Sequence, residues 1–249
     1  MHKQIQGALV ALALAMSGFL TITVATAGTA SADGCHTWTR TLSSGSSGSD
    51  VAELQVRVAG WAGYGVNMAI DVQYGPQTVN AVKGFQRGYG LPVDGVAGAQ
   101  TFAKIYELQD ADCSPAHFSF AEVDGGCGVG GYSGGSVSAA TVKENLTRAM
   151  WRAEALRRQL GDRALRVTSG FRSQSCDRSV GGSGAGQHTY GRAIDLTGFG
   201  GIPSLCSIAR QARSAGFGGI FGPGYPDHND HTHVDIRAGR SWSAPNCGI

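Results

Sequence analysis

The sequence predicts an α+β chain: a small N-terminal three-helix module followed by a larger domain with a mainly antiparallel sheet and flanking helices. Three observations carry that expectation. Apolar residues recur at helical spacing before position 110, glycines and cysteines mark a break over 109–136, and short β-like runs then mix with helices in irregular order. The chain has 249 residues at formal net charge +2, with 42% hydrophobic and 15% charged side chains, which suits one or two globular domains and excludes disorder throughout. Its 39 glycines are about twice the ordinary share and follow no Gly-X-Y period, so they mark loops rather than a collagen-like repeat.

Residues 1–32 read as a signal peptide. Lys3 gives a positive start, Ala8 to Met16 is an apolar run, and Ala30-Ser31-Ala32 supplies the small residues of a cleavage site. To span a membrane, the apolar stretch would have to continue through Ser17, Gly18, Thr21 and Thr23, so no stable membrane anchor is expected after cleavage and the chain is expected to be secreted. The remaining 217 residues carry net charge +1, because Lys3 is the one charged side chain removed; no nucleic-acid partner is expected. All six cysteines lie in this remainder, which in an exported protein suggests three disulfides. No Cys-x-x-Cys occurs, so a thiolate zinc knuckle or a redox motif is disfavoured. The simplest pairing is sequential: Cys35 with Cys113, Cys127 with Cys176, Cys206 with Cys247.

The first helices come from an internal echo. Asp71 to Thr78 and Asp94 to Thr101 share Asp-x-x-x-Gly-x-Gln-Thr at an offset of 23 residues, and each copy opens a helix. Val79, Val82 and Phe85 follow in one copy, Phe102, Ile105 and Leu108 in the other, and Val51, Leu54 and Val58 have the same period earlier. After the break, Val137 to Leu160 reads as a long helix capped by Ser138, with Val142, Leu146, Ala149, Met150, Ala153 and Leu156 on one stripe. Asn145-Leu146-Thr147 matches a glycosylation sequon, but its place on a helix argues for chance. Strands are expected at Leu165 to Ser169, Ala193 to Thr197, Gly219 to Phe221 and Thr232 to Ile236, with a further helix near Pro203 to Ala215.

Four of the seven histidines fall between positions 188 and 233. His188 and Asp195 lead from a glycine-rich loop into one strand, while His231 and His233 share a face of another because strand side chains alternate. Two imidazoles and one carboxylate would give zinc three protein ligands and leave a position for water. Periodicity alone also permits His228, His231 and His233 as ligands. His36 and His117 stand apart and read as ordinary surface or core histidines.

Two resemblances sharpen this. Asp-x-x-x-Gly-x-Gln-Thr-x-x-Ala-Val-x-x-Phe-Gln, from Asp71 to Gln86, followed by Gly90-Leu91-Pro92-Val93-Asp94-Gly95, resembles the peptidoglycan-binding-like domain of bacterial wall enzymes. It implies that 33–113 is a helical module holding an enzyme against the cell wall. Ser169-Gly170-Phe171-Arg172-Ser173, then His188-x-x-Gly191-x-Ala193-x-Asp195, then Asp230-His231-x-His233 resemble the zinc D-alanyl-D-alanine carboxypeptidase family. That resemblance implies a catalytic domain at 114–249 with one Zn2+ per chain on His188, Asp195 and His233. It also implies Asp230 as acceptor of a proton from the attacking water, His231 as a catalytic side chain facing the metal, His228 in proton handling, and Arg172 on the substrate. One departure is Gly186, where the family often has Ser two residues before the first ligand.

The implied reaction is zinc-assisted hydrolysis of the terminal D-Ala-D-Ala bond of peptidoglycan stem peptides by an extracellular or wall-associated enzyme. An endopeptidase cutting cross-links or another stem-peptide bond would use the same chemistry. A wall-binding protein with a structural zinc is the alternative of a different class, and it would call for four protein ligands.

Overall fold

The computed structural model describes residues 34–124 and 131–249; the expected signal peptide and Cys127 lie outside the described residues. Three helices form the first part: α1 (Ser49–Val58), α2 (Pro76–Gly88) and α3 (Ala99–Glu107). Val51, Leu54, Val58, Val82, Phe85, Phe102, Ile105 and Leu108 are buried together as their spacing requires. The Cys35–Cys113 disulfide joins the two ends of this region.

Two buried glutamines hold the echo together. Gln55 Nε2 donates to Asp71 Oδ1 at 2.8 Å, the Gln73 carbonyl at 2.9 Å and Thr78 Oγ1 at 3.0 Å, while its Oε1 accepts from the backbone N–H groups of Asp71 and Val72. Gln86 repeats the device: Nε2 donates to Asp94 Oδ1 at 2.8 Å, the Val96 carbonyl at 3.0 Å and Thr101 Oγ1 at 3.2 Å, and Oε1 accepts from Gly95 N–H. Each turn therefore delivers its backbone polar groups to a side chain of the preceding helix, which is how a turn can be buried without losing its hydrogen bonds.

The second part contains α4 (Phe120–Val123), α5 (Ala139–Gln159), β1 (Leu165–Ser169), α6 (Gln174–Ser179), β2 (Ala193–Gly198), α7 (Leu205–Ala212), β3 (Gly219–Phe221), β4 (Thr232–Asp235) and β5 (Ser241–Ser243). The five strands form one sheet in the order β1-β2-β4-β3-β5, antiparallel except for the β3–β5 pair. Helix α5 begins where Ser138 accepts a hydrogen bond from Thr141 N–H, and its apolar stripe packs with Ile194, Leu196, Ile208 and Val234 in a second core. Asn145 of the apparent sequon is buried and donates to the Tyr190 carbonyl, so its amide is no acceptor for a sugar.

The expected elements are present with ends shifted by one or a few residues, and three were not anticipated. Helix α4 is a four-residue turn inside the expected break, closed by a capping box between Ser119 and Glu122. Helix α6 has no apolar stripe; Ser173 caps it, and Cys176 within it is disulfide-bonded. Strand β5 is three residues long, too short to show alternation. Cys206–Cys247 forms as expected.

The two parts are joined by packing. Trp151 of α5 belongs to the helical core, its indole N–H donating to the Cys113 carbonyl, and Gln159 and Arg158 donate to the carbonyls of Gly60 and Gly88. Among the described residues no helix is long and apolar enough to cross a membrane.

Candidate active site

Strands β2 and β4 lie side by side with Asp195 opposite His233. His188 reaches the same point from a short 3-10 turn, Gln187–Tyr190, that enters β2. The register of β1 against β2 slips between Val167 and Ser169, a bulge that re-aims the chain leading to Arg172. Gly170 follows, and a Cβ there would stand 2.2 Å from the Val123 carbonyl oxygen, so only glycine lets the two backbones meet.

His188, Asp195 and His233 are buried and gather their donor atoms in one cluster. His188 Nε2 is 3.1 Å from His233 Nδ1 and 3.3 Å from Asp195 Oδ1, and His233 Nδ1 is 3.0 Å from that same oxygen. The outer nitrogens are spoken for: His188 Nδ1 donates to the Gly170 carbonyl at 2.6 Å, and His233 Nε2 donates to Asp235 Oδ2 at 3.0 Å. This leaves Nε2 of His188 and Nδ1 of His233 as the inward-facing atoms. Two imidazole lone pairs and a carboxylate aimed at one point repel unless a cation lies between them. Their separations approach the roughly 3.3 Å between neighbouring ligands of a tetrahedral zinc with bonds of about 2.0–2.1 Å. The donor set suits zinc.

Electrostatics follow from the same contacts. Burial works against charge on Asp195, yet His188 and His233 hold its carboxyl well below the usual carboxylate range. For His233, burial again opposes charge, but Asp195 and Asp235 push it up to about 9. Burial carries His188 and His228 below the ordinary histidine value. Asp235 is brought down to about 2 by His233 and Arg237 in spite of its burial.

Arg172 lies beside the cluster, with Nη2 donating to Asp195 Oδ2 and Nε to Ser169 Oγ, both at 2.9 Å. His231 Nε2 is 3.7 Å from Asp195 Oδ1, and its Nδ1 is 2.7 Å from Asp230 Oδ1. Asp230 therefore sits at the opposite nitrogen of the ring, with 90% of its side chain exposed. His228 lies beside His231, the rings tilted at 39° with 4.8 Å between centroids, and its Nδ1 donates to the Pro226 carbonyl. Among the described residues, His228 and His231 do not join a ligand cluster with His233. Gly186 opens the 3-10 turn, and a Cβ there would meet only Asp177 Oδ2 at 3.8 Å, so a serine would fit.

Sequence reasoning gave no role to Asp235. It follows His233 by two residues, the spacing that puts strand side chains on one face, and Gly219 opposite has no Cβ where the carboxylate lies 2.2 Å away. Such an outer carboxylate fixes the tautomer of a metal-binding imidazole.

A buried cluster of two histidines and one aspartate, open towards two further histidines, defines the class: a candidate mononuclear metal centre of the hydrolytic kind. Comparisons with known proteins agree. The Peptidase M15 profile matches residues 116–235, and that of a putative peptidoglycan binding domain matches 47–105. The zinc D-Ala-D-Ala carboxypeptidase of Streptomyces albus G is 52% identical over 217 residues, covering 87% of this chain and 84% of that one. The N-acetylmuramoyl-L-alanine amidase CwlM of Mycobacterium tuberculosis is 41% identical over 61 residues, 24% of this chain and 14% of its own. A spore cortex-lytic enzyme of Bacillus cereus is 40% identical over 73 residues, 29% of this chain and 27% of its own. The chain belongs to the Peptidase M15 family and is a homologue of the zinc D-Ala-D-Ala carboxypeptidases.

Proposed function

We propose that this chain is a zinc D-Ala-D-Ala carboxypeptidase that removes the terminal D-alanine from peptidoglycan stem peptides. In this reading 114–249 is the catalytic domain, 33–113 holds it to the wall, and 1–32 is a signal peptide for export. One zinc per chain is held by His188, Asp195 and His233. The observation that supports the reading best is the convergence of their three donor atoms at 3.0–3.3 Å, with the outer imidazole nitrogens already committed to Gly170 and Asp235.

Zinc, when bound, supplies Lewis acidity that polarises the scissile carbonyl and acidifies water. The chain's own residues move the proton. With Nδ1–H of His231 donated to Asp230, Nε2 carries a lone pair towards the cluster and takes the proton of the attacking water. The same nitrogen then returns it to the amine of the departing D-alanine. Asp230 is thus assigned to holding the tautomer and charge of His231 rather than to meeting the water itself. His228, its ring tilted against that of His231, disfavours a second positive charge beside it while the proton is held. Arg172 fixes Asp195 through Nη2, has Nη1 3.6 Å from Asp177 Oδ1, and places its positive charge beside the site, where it draws in an oxygen of the substrate.

D-alanine release from a peptide ending in D-Ala-D-Ala is the test, run with a chelator and again after zinc is restored. Chelator-sensitive release that zinc restores is the expected result. A folded, zinc-loaded protein that frees no D-alanine but opens cross-linked wall would replace this reading with the endopeptidase one.

A further inference from the structure

A second concave site lies where the helical module meets the sheet domain. It encloses about 720 Å³ and is lined by Arg148 and Arg152 of α5, Arg192 just before β2 and Arg240 just before β5. No Asp or Glu lines it, and neither do the residues of the candidate metal centre. Among the described residues, none of these four arginines makes an ion pair.

Arg152 is the unusual member. It is 3% exposed; Nη2 donates to Asn67 Oδ1 at 3.2 Å and the Met68 carbonyl at 3.3 Å, and its buried Nε has no hydrogen-bond partner. Burial, with repulsion from Arg148 added, pulls its guanidinium down to about 10. The other buried arginines differ, since Arg57 is paired with Glu53 and Arg157 with Glu154. A buried cation without a counter-charge is costly, and three more cations around it raise that cost. An anion entering the cavity would relieve it, and guanidinium forks match the paired oxygens of carboxylates and phosphates.

The remaining lining selects between those two. Met68, Ile70, Phe217, Ile236 and Trp242 give an apolar side, and Asn145, whose Nδ2 is committed to the Tyr190 carbonyl, keeps Oδ1 as an acceptor. Apolar surface and an amide acceptor serve a peptide, with its side chains and N–H groups; a polyol phosphate would use the cations alone. The volume falls in the range of sites that enclose a small ligand, about 300–1,000 Å³.

We propose that this cavity binds the carboxylates of a short acidic peptide, a stem peptide of the wall other than the one being cut. The anion chemistry stands on the arginines, and the naming of the peptide rests on the wall-enzyme reading above. The test is titration calorimetry on the full chain carrying His188→Ala, which removes turnover, with the N-acetylated tripeptide L-Ala-γ-D-Glu-L-Lys as probe. One peptide per chain is expected to bind, at least tenfold more weakly when Arg148→Ala or Arg192→Ala is added. Both positions are only partly buried, and unchanged melting temperatures will show that the variants fold. In the otherwise native chain, Arg148→Ala should leave D-alanine release from a soluble peptide within about twofold. Binding of glycerol phosphate without the tripeptide, equal tripeptide binding in the arginine variants, or no binding of either probe would each overturn the proposal. Because calorimetry on the His188→Ala protein requires no catalysis, failed D-alanine release by the native chain would overturn the carboxypeptidase reading and leave the cavity to be judged separately.

Discussion

The helical module and the sheet domain both bury polar side chains, and they do it in opposite ways. Around Gln55 and Gln86 the side-chain amide groups meet their partners, so each knot is closed. Around His188, Asp195 and His233 the outer groups are satisfied and the inner atoms face one another, an arrangement that calls for positive charge at its centre, a proton on His233 or a metal ion. Closed polar burial fixes a turn, whereas polar burial left open at its centre prepares a site for a cation. Burial of polar groups is therefore no sign of function by itself; what distinguishes the two regions is the direction of the lone pairs.

That contrast is most severely tested at the metal cluster. His188→Ala should cut zinc content from one per chain to near zero and D-alanine release by at least about 10³-fold, with far-ultraviolet circular dichroism unchanged. Retention of stoichiometric zinc by this variant would refute the ligand assignment. The closed knot should respond the other way. Gln86→Ala strands Asp94, Gly95 N–H and Thr101 in a buried turn and should cost about 2–4 kcal/mol, a loss of roughly 5–12 °C in melting temperature. Turnover of a soluble peptide should stay within about twofold, and an equal fall in activity would erase the distinction between the two regions.

Smaller effects sharpen it. Asp235→Asn keeps an acceptor for His233 but removes its charge, so zinc affinity, read by competition with a chelating dye, should weaken about 10–100-fold. The smallest effect is acidic. Asp71 and Asp94 are held below the ordinary carboxylate value chiefly by Gln55 and by the Val96 backbone N–H. Since their folded values are depressed, the stabilisation is complete above the unfolded value of 3.8 and is lost as pH falls through the folded values. Both carboxylates are largely solvated, so less than about 1 kcal/mol is at stake. Melting curves between pH 2 and 6, roughly spanning that window, should show a shallower acid limb for Asp71→Asn and Asp94→Asn than for the native chain.

Much of this was legible in the residue pattern. The echo from Asp71 and Asp94 and the apolar spacing after it mark two helices, whereas spacing alone leaves two ligand sets open and the resemblance to the carboxypeptidase family is what singles out His188, Asp195 and His233. What escaped did so for physical reasons. The hubs Gln55 and Gln86 lie on the helices preceding each copy, outside the repeated string, while within it Gln77 and Gln100 are exposed and the aspartates and threonines, Asp71 and Thr78, Asp94 and Thr101, supply the side-chain partners. Asp235 gained its role from the absence of a Cβ on Gly219 across the sheet, a relation of register that local pattern does not contain. Helix α6 is held by a cap and a disulfide rather than by an apolar face, so periodicity had nothing to register.

Trp151 has a mechanical consequence. A side chain from the long helix of the sheet domain fills the core of the helical module, so the two parts share a joint without a hinge at that point. An enzyme on a slack tether would sweep a sphere of possible targets set by linker length. In the proposed reading, with the module holding the wall, it acts as the arm of a caliper: wherever it grips, the jaw stands at a fixed offset and orientation, and the bonds within reach are chosen by geometry before chemistry begins.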